Sequence, residues 1–330
     1  MKISYSPYTL KPVQYLNTVA HMGDRNGTLL KIEWPDEVVG YADLHPWPEL
    51  GDPSWEDQLA DLRQGKISQM VEQSIWMARK DGQFRKSGKS AFETVPTIKN
   101  NYIVVDVAAE PEWLADRLKA DGFETVKIKV GRDLKKEAEF ISLLGQDGAF
   151  QLRLDFNAIG SWQTYERFMS SVNKVALQRV QYVEDPFPYD AQAWTEAKKF
   201  APIAIDNQIS KVDFKKLQGN PFDVVILKPA KMDVGRIIQY SIVHNLKVTV
   251  TSYMDHPIGV AHALAIASEL KKSHPQRILD AGCMTLRLFQ MEAYSAEMIT
   301  TGPYIKRAAG KGIGFDLLLM KEPWAHLKIR

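Results

Sequence analysis

Charged side chains recur at the ends of short apolar segments in the middle of the chain. Lysines and acids follow one another in this order: Lys127 and Lys129, then Asp155, Glu184, Asp206 and Lys228. A charge at the end of a buried segment needs an opposite charge or a metal ion. Three converging carboxylates favour Mg²⁺, which prefers oxygen ligands and keeps positions for water and substrate. Amines beside such a site could take up and return a proton.

Each member of this set also has an ordinary explanation. A Lys-x-Lys pair is commonly a solvated strand face, and an aspartate at the end of a strand commonly caps the next helix. The tripeptide Glu184-Asp185-Pro186 alone would be typical of a turn. Charged residues at five successive predicted strand ends are much harder to explain in this way. We therefore interpret the set as one site.

A repeated strand-then-helix pattern positions these residues. Apolar segments rich in β-branched residues recur from Val95 onward, at residues 103–105, 126–130, 152–155, 180–184, 203–206, 224–228, 248–251 and 278–280. Helical spacing lies between them, for example at residues 113–120, 135–144 and 258–270. Seven or eight such units predict an α/β fold, a closed (β/α) barrel of parallel strands. In such barrels the active site lies at the carboxyl ends of the strands.

The first third of the chain has a different character and predicts an α+β capping domain. Residues 29–34 alternate like a strand, a turn follows, and residues 38–42 resume the pattern, which indicates a hairpin. Ser54 is the expected N-cap of a helix that begins at Trp55. The tail returns to a Gly-rich strand pattern at residues 310–316. We therefore predict a capping domain of residues 1–95 joined by the tail 300–330, and a barrel of residues 96–299. Residues 15–25 are expected to form a loop over the barrel mouth.

The overall composition argues against several classes of function. The 42 basic and 40 acidic residues nearly balance, so we expect no nucleic-acid groove. No apolar run approaches the roughly 20 residues that span a bilayer, so we expect no membrane partner. The amino terminus shows no signal-like apolar stretch, and one cysteine permits no internal disulfide, so we expect a cytoplasmic protein. The expected partner is a small-molecule carboxylate substrate, and a homo-oligomer is left open.

At these charged positions the chain resembles the enolase superfamily, in its muconate-lactonizing-enzyme-like branch. The resemblance covers nearly the whole chain, and its barrel motifs are Val126-Lys127-Ile128-Lys129, Leu154-Asp155-Phe156-Asn157, Val183-Glu184-Asp185-Pro186, Ile205-Asp206 and Leu227-Lys228-Pro229. Within that branch it is most similar to o-succinylbenzoate synthases. The capping-domain stretches that carry this similarity are residues 24–27, 40–43, 46–48 and 54–56.

This resemblance implies a Mg²⁺-dependent lyase that dehydrates its substrate in menaquinone biosynthesis. It implies that Mg²⁺ is held by Asp155, Glu184 and Asp206. Lys129 would be the base that takes the proton next to the substrate carboxylate, Lys228 would stabilise the anion from the opposite side, and Lys127 would assist near the carboxylate. The expected substrate contacts are Asn157, Arg153 and Ser252.

The chain departs from the family pattern at three places. Asn207-Gln208 stands where an acid and a serine are usual, which removes a negative charge near Lys228. The segment 251–256 is bulkier than usual, and Asp280-Ala281-Gly282 lacks the Asp-x-Asp pair with which dipeptide epimerases hold a substrate ammonium group. Two alternatives remain beside the dehydratase. One is an N-acylamino acid racemase or dipeptide epimerase, and the other is an inactive barrel that serves as a binding or scaffold protein.

Overall fold

The computed structural model describes residues 1–13, 23–215, 217 and 219–329. Most of the loop predicted at residues 15–25 lies outside the described residues. The capping domain begins with three antiparallel strands, β1 (Lys2–Leu10), β2 (Arg25–Glu33) and β3 (Val39–Leu44). The predicted hairpin is confirmed as the β2–β3 pair.

Two helices complete the capping domain, α1 (Trp55–Arg63) and α2 (Gln69–Lys86). The Ser54 hydroxyl accepts a hydrogen bond from the backbone N–H of Asp57 (3.1 Å), so the predicted N-cap of α1 is confirmed. Helix α2 packs closely on β3. A Cβ atom on Gly40 would lie only 1.7 Å from the carbonyl oxygen of Ala78, so this approach requires glycine.

Seven parallel strands follow in chain order and form one curved sheet. They are β4 (Tyr102–Val104), β5 (Thr125–Lys129), β6 (Gln151–Asp155), β7 (Val180–Glu184), β8 (Ile203–Ile205), β9 (Val224–Leu227) and β10 (Lys247–Val250). The helices on the outside of this sheet are α3 (Pro111–Ala120), α4 (Leu134–Leu144), α5 (Trp162–Ser171), α6 (Lys174–Gln178), α7 (Ala191–Ala197), α8 (Val234–Val243) and α9 (Pro257–Ser273). The barrel fold expected from the repeated pattern is confirmed.

The predicted eighth strand closes the ring as an irregular segment. Residues 278–282 make isolated parallel bridges on one side to Val248 of β10 and to Thr251 just after it, and on the other side to Asn100, just before β4. The backbone N–H of Asn101 donates to the carbonyl of Ala281 (2.8 Å), and that of Gly282 donates to Val250 (2.9 Å). The segment therefore joins both edges of the sheet without forming a regular strand.

The apolar core lies in two places. The larger part fills the space between the strands and the surrounding helices and continues into the capping domain. A smaller cluster lies inside the barrel, where Tyr182, Ala204, Val224 and Ile226 pack together. The guanidinium of Arg153 stacks over the Tyr182 ring at 5.0 Å and forms part of the same filling. Side chains thus occupy the lower interior of the barrel and leave its upper end for a site.

The tail contains α10 (Ala293–Ala296), β11 (Thr300–Thr301), β12 (Tyr304–Ile305), α11 (Asp316–Leu319) and β13 (Ala325–Leu327). Strand β13 pairs with β1, so the tail returns to the first domain. The strand expected at residues 310–316 is wrong. Gly310, Gly312 and Gly314 have positive φ angles, which produce turns, and a single bridge joins Gly312 to Ser90. No described helix has both the length and the apolar character needed to cross a bilayer.

Candidate active site

The strand ends bring most of the predicted site residues together. Lys129, Asp155 and Glu184 are the last residues of β5, β6 and β7, and the parallel pairing places them directly side by side. Asp206 directly follows β8, and Lys228 directly follows β9. All five are buried or nearly so, although all five are charged. The arrangement follows from register, because consecutive parallel strands end at one level of a barrel.

The amines of the site lie against its acids. The Nζ atom of Lys127 donates to both carboxylate oxygens of Glu184 (2.8 Å each) and lies 3.0 Å from Oδ2 of Asp155. Oδ2 of Asp155 is also 3.6 Å from Nζ of Lys129. Because an ammonium group separates the acids, no three acid, histidine or cysteine side chains of the described residues already form a group that could hold a metal ion.

Burial and neighbouring charges shift the pKa values of Glu184 and Asp155 in opposite directions. Burial raises the pKa of Glu184 to about 8, and the carboxylates of Asp155 and Asp206 add to this rise against the attraction of Lys127. Burial also acts to raise the pKa of Asp155, but the ammonium groups of Lys127 and Lys129 outweigh it and hold the pKa at about 2. The negative charge of Glu184 is therefore less stabilised than that of Asp155, and a cation beside Glu184 would relieve this cost.

The pKa values of Lys127 and Lys129, the two lysines of β5, are also shifted in opposite directions. Burial lowers the pKa of Lys129, and the charge of Lys127 adds to this effect. Burial acts on Lys127 in the same direction, but Asp155 and Glu184 outweigh it and raise its pKa well above the usual value. Lys127 therefore stays protonated, whereas Lys129 is the amine that more readily gives up its proton and can act as a base.

The donor set fits a hard divalent cation. Oδ1 of Asp206 is buried and has no hydrogen-bond partner among the described residues, while its Oδ2 accepts a hydrogen bond from Nζ of Lys228 (2.6 Å). A buried carboxylate oxygen without a partner is costly unless a cation or water binds it. Together with the raised pKa of Glu184 and the oxygen-only ligands, this fits Mg²⁺ better than a soft metal.

A cavity of about 790 Å³, including its open mouth, lies above these charges. This is within the usual size range for a small-molecule site. Apolar walls are supplied by Trp47, Leu50, Ile103, Ile226, Met254 and Met284. Polar groups at the wall are supplied by Asn101, Asn157, Thr251, Ser252 and Thr285. The cavity therefore combines a charged floor with mixed walls, as expected for an organic acid with an apolar body.

Family models match both parts of the chain. Residues 3–84 match the model described as "O-succinylbenzoate synthase, N-terminal domain", and residues 111–320 match the "Enolase C-terminal domain-like" model. The o-succinylbenzoate synthase of Bdellovibrio bacteriovorus is 51% identical over 330 residues, which is 100% of each chain. This chain belongs to the o-succinylbenzoate synthase family. It is an enzyme of the enolase superfamily, a carbon–oxygen lyase like the synthases of that family.

Solved structures show how the synthase family shares its fold with epimerases. A dipeptide epimerase from Cytophaga hutchinsonii, complexed with Mg and a dipeptide, has a TM-score of 0.76 at 17% identity and covers 99% of both chains. The L-Ala-D/L-Glu epimerase from Bacillus subtilis has a TM-score of 0.74 at 18% identity, covering 94% of this chain and 97% of its own. At these identities the likeness shows the barrel and its capping domain, which this synthase-family chain shares.

The three predicted substrate contacts lie in different positions. Asn157 and Ser252 line the cavity, and the Nδ2 atom of Asn157 is a buried donor with no partner among the described side chains. Arg153 does not line it. This residue lies two positions before Asp155 on the same strand face and is fully buried below the floor. Its guanidinium donates to Asn101 (2.8 Å) and to the carbonyl of Asp280 (3.0 Å), so it supports the wall of the synthase-family site from beneath.

Sequence reasoning missed three residues of this site. Trp47 packs in the core of the capping domain, lines the cavity and donates through Nε1 to the carbonyl of Tyr253 (2.9 Å). Tyr253 donates to Oδ2 of Asp52 (2.8 Å) and so joins the capping domain to the barrel. Asn101 was also missed, although a polar pair directly before the first barrel strand was a usable signal.

Proposed function

We propose that this chain catalyses the Mg²⁺-dependent dehydration that forms o-succinylbenzoate in menaquinone biosynthesis. The observation that carries the proposal is a buried lysine with a lowered pKa, Lys129, whose Nζ lies 3.6 Å from Oδ2 of Asp155, the first of three acids at successive strand ends of the barrel. The synthase of Bdellovibrio bacteriovorus, similar over its full length, supports the choice of reaction. The substrate would be a succinyl-hydroxycyclohexadiene carboxylate.

The three acids Asp155, Glu184 and Asp206 would hold Mg²⁺ in this proposal. Support comes from the unpartnered Oδ1 of Asp206 and from the raised pKa of Glu184. The dipeptide epimerase of Cytophaga hutchinsonii, with the same fold, was solved with Mg. When bound, the ion would act as a Lewis acid that lowers the cost of negative charge on the substrate carboxylate, an effect worth several kcal/mol.

Lys129 would act twice. As a neutral amine it would take the proton from the carbon next to the substrate carboxylate, and the C–H electron pair would remain on the substrate. The resulting ammonium group would then give this proton to the leaving hydroxyl as the C–O bond breaks, so that water leaves and a C=C bond forms. A base whose pKa lies near the working pH suits both steps.

The other amines would stabilise charge. Lys228 follows β9 and would face the substrate from another wall, where its ammonium group would stabilise the anion formed after proton removal. Lys127, held on Glu184 and Asp155, stays charged and would act near the carboxylate. Asn157 and Ser252 would orient the substrate through hydrogen bonds, and Arg153 would act only through Asn101.

An epimerase is the second candidate, because amines on two walls could serve a two-base mechanism. One observation speaks against a dipeptide epimerase. The carboxylate of Asp280 accepts a hydrogen bond from the hydroxyl of Thr125 (2.8 Å), which stands at the start of β5, away from the carboxyl ends. Gly282, two residues later, lines the cavity without a side chain. The site therefore offers no acid from this segment to a substrate ammonium group.

The test compares both candidate reactions in D₂O. The purified protein, freed of metal with EDTA and then given Mg²⁺, should convert the cyclohexadiene carboxylate into an aromatic product, detected by ultraviolet absorbance. Asp206→Ala should lose both the activity and the Mg²⁺ binding measured by calorimetry. Deuterium exchange with inversion of an N-acylamino acid or dipeptide, without aromatic product, would replace the dehydratase proposal by the epimerase.

A further inference from the structure

Asp185 is a fourth buried acid beside the three predicted metal ligands, and its hydrogen bonds differ from theirs. Asp185 directly follows Glu184, is 1% exposed and has a positive φ angle of 41°. Its Oδ1 accepts a hydrogen bond from the backbone N–H of Asp206 (3.0 Å), and its Oδ2 accepts one from the backbone N–H of Asn207 (3.0 Å). Both bonds reach from the loop after β7 to the end of β8.

The backbone of Asp185 makes two more connections between strands. Its N–H donates to the carbonyl of Ala204 on β8 (3.0 Å), and its carbonyl accepts from the N–H of Ala158 in the loop after β6 (2.7 Å). Asp185 therefore joins the ends of the three consecutive strands that position Asp155, Glu184 and Asp206. The left-handed backbone conformation at Asp185 costs free energy for a residue other than glycine, and these four bonds offset that cost.

The pattern differs from ordinary helix capping. An aspartate after a strand usually accepts hydrogen bonds from the first turn of its own helix, as Asp190 does here for α7 with the N–H of Ala193 (2.8 Å). Asp185 instead uses both carboxylate oxygens on the backbone of the neighbouring strand end. Because the direction of a side chain is set by its own backbone, these bonds fix where the Asp206 carboxylate points.

We propose that Asp185 is a positioning residue for Asp206, and not a ligand itself; the proposal rests on the Mg²⁺ site proposed above. An asparagine at position 185 can accept only one of the two N–H bonds, because its amide nitrogen is a donor. The other backbone N–H then faces a donor in a buried place, and the end of β8 must shift. The carboxylates of Asp155, Glu184 and Asp206 would then no longer lie side by side.

The first experiment measures Mg²⁺ binding by calorimetry in the full-length protein. Asp185→Asn should weaken binding at least about 10-fold relative to wild type. Asp190→Asn, the same charge change at an exposed cap of the same loop, should stay within about twofold. Leu144→Ala, a buried change in α4, lowers the melting temperature without touching the acids and should also keep its affinity well below its transition. Equal affinity in Asp185→Asn and wild type would overturn the proposal.

The second experiment does not depend on metal. Amide hydrogen exchange of wild-type protein in EDTA should show protection at Asp206 and Asn207, and Asp185→Asn should lose it at one or both. Fast exchange at both amides in wild type would refute the proposal even if the variant failed to fold. Loss of Mg²⁺ binding with unchanged protection would make Asp185 a ligand and also overturn it. Absence of Mg²⁺ binding in wild type, with protection as expected, would instead refute the proposed function.

Discussion

Two buried carboxyl groups meet where the capping domain packs on the barrel, apart from the lysines. Asp43 belongs to β3, and Asp255 belongs to the loop after β10; both are buried. A Cβ atom on Gly259 would lie 2.7 Å from an oxygen of each, so the two groups converge on one point. Burial raises the pKa of Asp255 to about 7, and burial with the charge of Asp255 raises that of Asp43.

Hydrogen bonds stabilise the negative charge of Asp43 more than that of Asp255. The hydroxyl of Tyr8 donates to Oδ1 of Asp43 (2.6 Å), and the backbone N–H of His256 donates to its Oδ2 (3.0 Å). Oδ1 of Asp255 is buried and has no hydrogen-bond partner within the described part of the chain. Cys283, also buried, lies near enough for the charge of Asp255 to raise its pKa. Hydrogen bonds therefore offset the buried charge less at Asp255 than at Asp43, and burial raises the pKa of both carboxyl groups.

We predict that Asp255→Asn removes a loss of stability that the wild type suffers as pH rises. The folded-state pKa is above the unfolded value near 3.9, so the folded protein binds more protons between about pH 4 and pH 7. The contribution of Asp255 to wild-type stability therefore falls across that window and levels off above it. Three pH units at 1.36 kcal/mol each give at most about 4 kcal/mol. Asparagine, neutral at every pH and similar in shape, should suffer no such loss.

The assay is urea denaturation between pH 4.5 and 8.5 in EDTA, followed by circular dichroism. The difference in unfolding free energy between Asp255→Asn and wild type should rise by about 2–4 kcal/mol across the window in favour of the variant. Acids away from this pair, such as Glu184, cancel in this difference, whereas removing the Asp255 charge also lowers the pKa of Asp43, which adds to the advantage of the variant. Asp233→Asn, at the exposed N-cap of α8, should show no such rise in favour of the variant. Parallel wild-type and Asp255→Asn curves would refute the reasoning.

Three further substitutions test the proposed site and its connection to the capping domain. Lys129→Ala should lower kcat by at least about 10²-fold while calorimetric Mg²⁺ affinity stays nearly unchanged, and near wild-type rates would remove Lys129 from its role as base. Tyr253→Phe removes the hydroxyl bonded to Asp52 (2.8 Å) and Lys231 (3.1 Å) and should lower the urea-derived stability by about 1–2 kcal/mol; an unchanged midpoint would show that these bonds contribute nothing. Asn207→Asp adds a negative charge beside the acids and should tighten Mg²⁺ binding severalfold by calorimetry, so weaker binding would contradict the proposed ion position.

The barrel could be predicted because each of its strands is marked by a short stretch of the sequence itself. Each parallel strand of such a fold is buried on both faces, so a run of β-branched residues marks it without knowledge of its partners. The regular strands β4 to β10 all fall within two residues of the predicted segments. The alignment of Lys129, Asp155 and Glu184 follows from the same pattern, since consecutive strands of a barrel are neighbours. The irregular closure at residues 278–282 was correspondingly the weakest signal.

How deep a side chain lies inside the barrel could not be predicted in the same way. Strand alternation places Arg153, one of the expected substrate contacts, on the same strand face as Asp155. Whether a side chain on that face reaches the cavity depends on residues far along the chain. The Arg153 guanidinium bonds to Asn101, 52 residues away, and to the carbonyl of Asp280, 127 residues away. Such partners can be named only once the ring has closed.

Two departures from the family pattern turn out to concern a single lysine. The acid expected after Asp206 is replaced by Asn207, whose Oδ1 still accepts a hydrogen bond from Nζ of Lys228 (3.2 Å). The bulky residue after β10, Tyr253, places its ring face 5.4 Å from the same nitrogen, and a ring face attracts a cation. One full negative charge is thus exchanged for an amide dipole and an aromatic face. Lys228 keeps its place against Asp206 with less compensating charge around it, which suits the proposed role of Lys228 in stabilising a substrate anion.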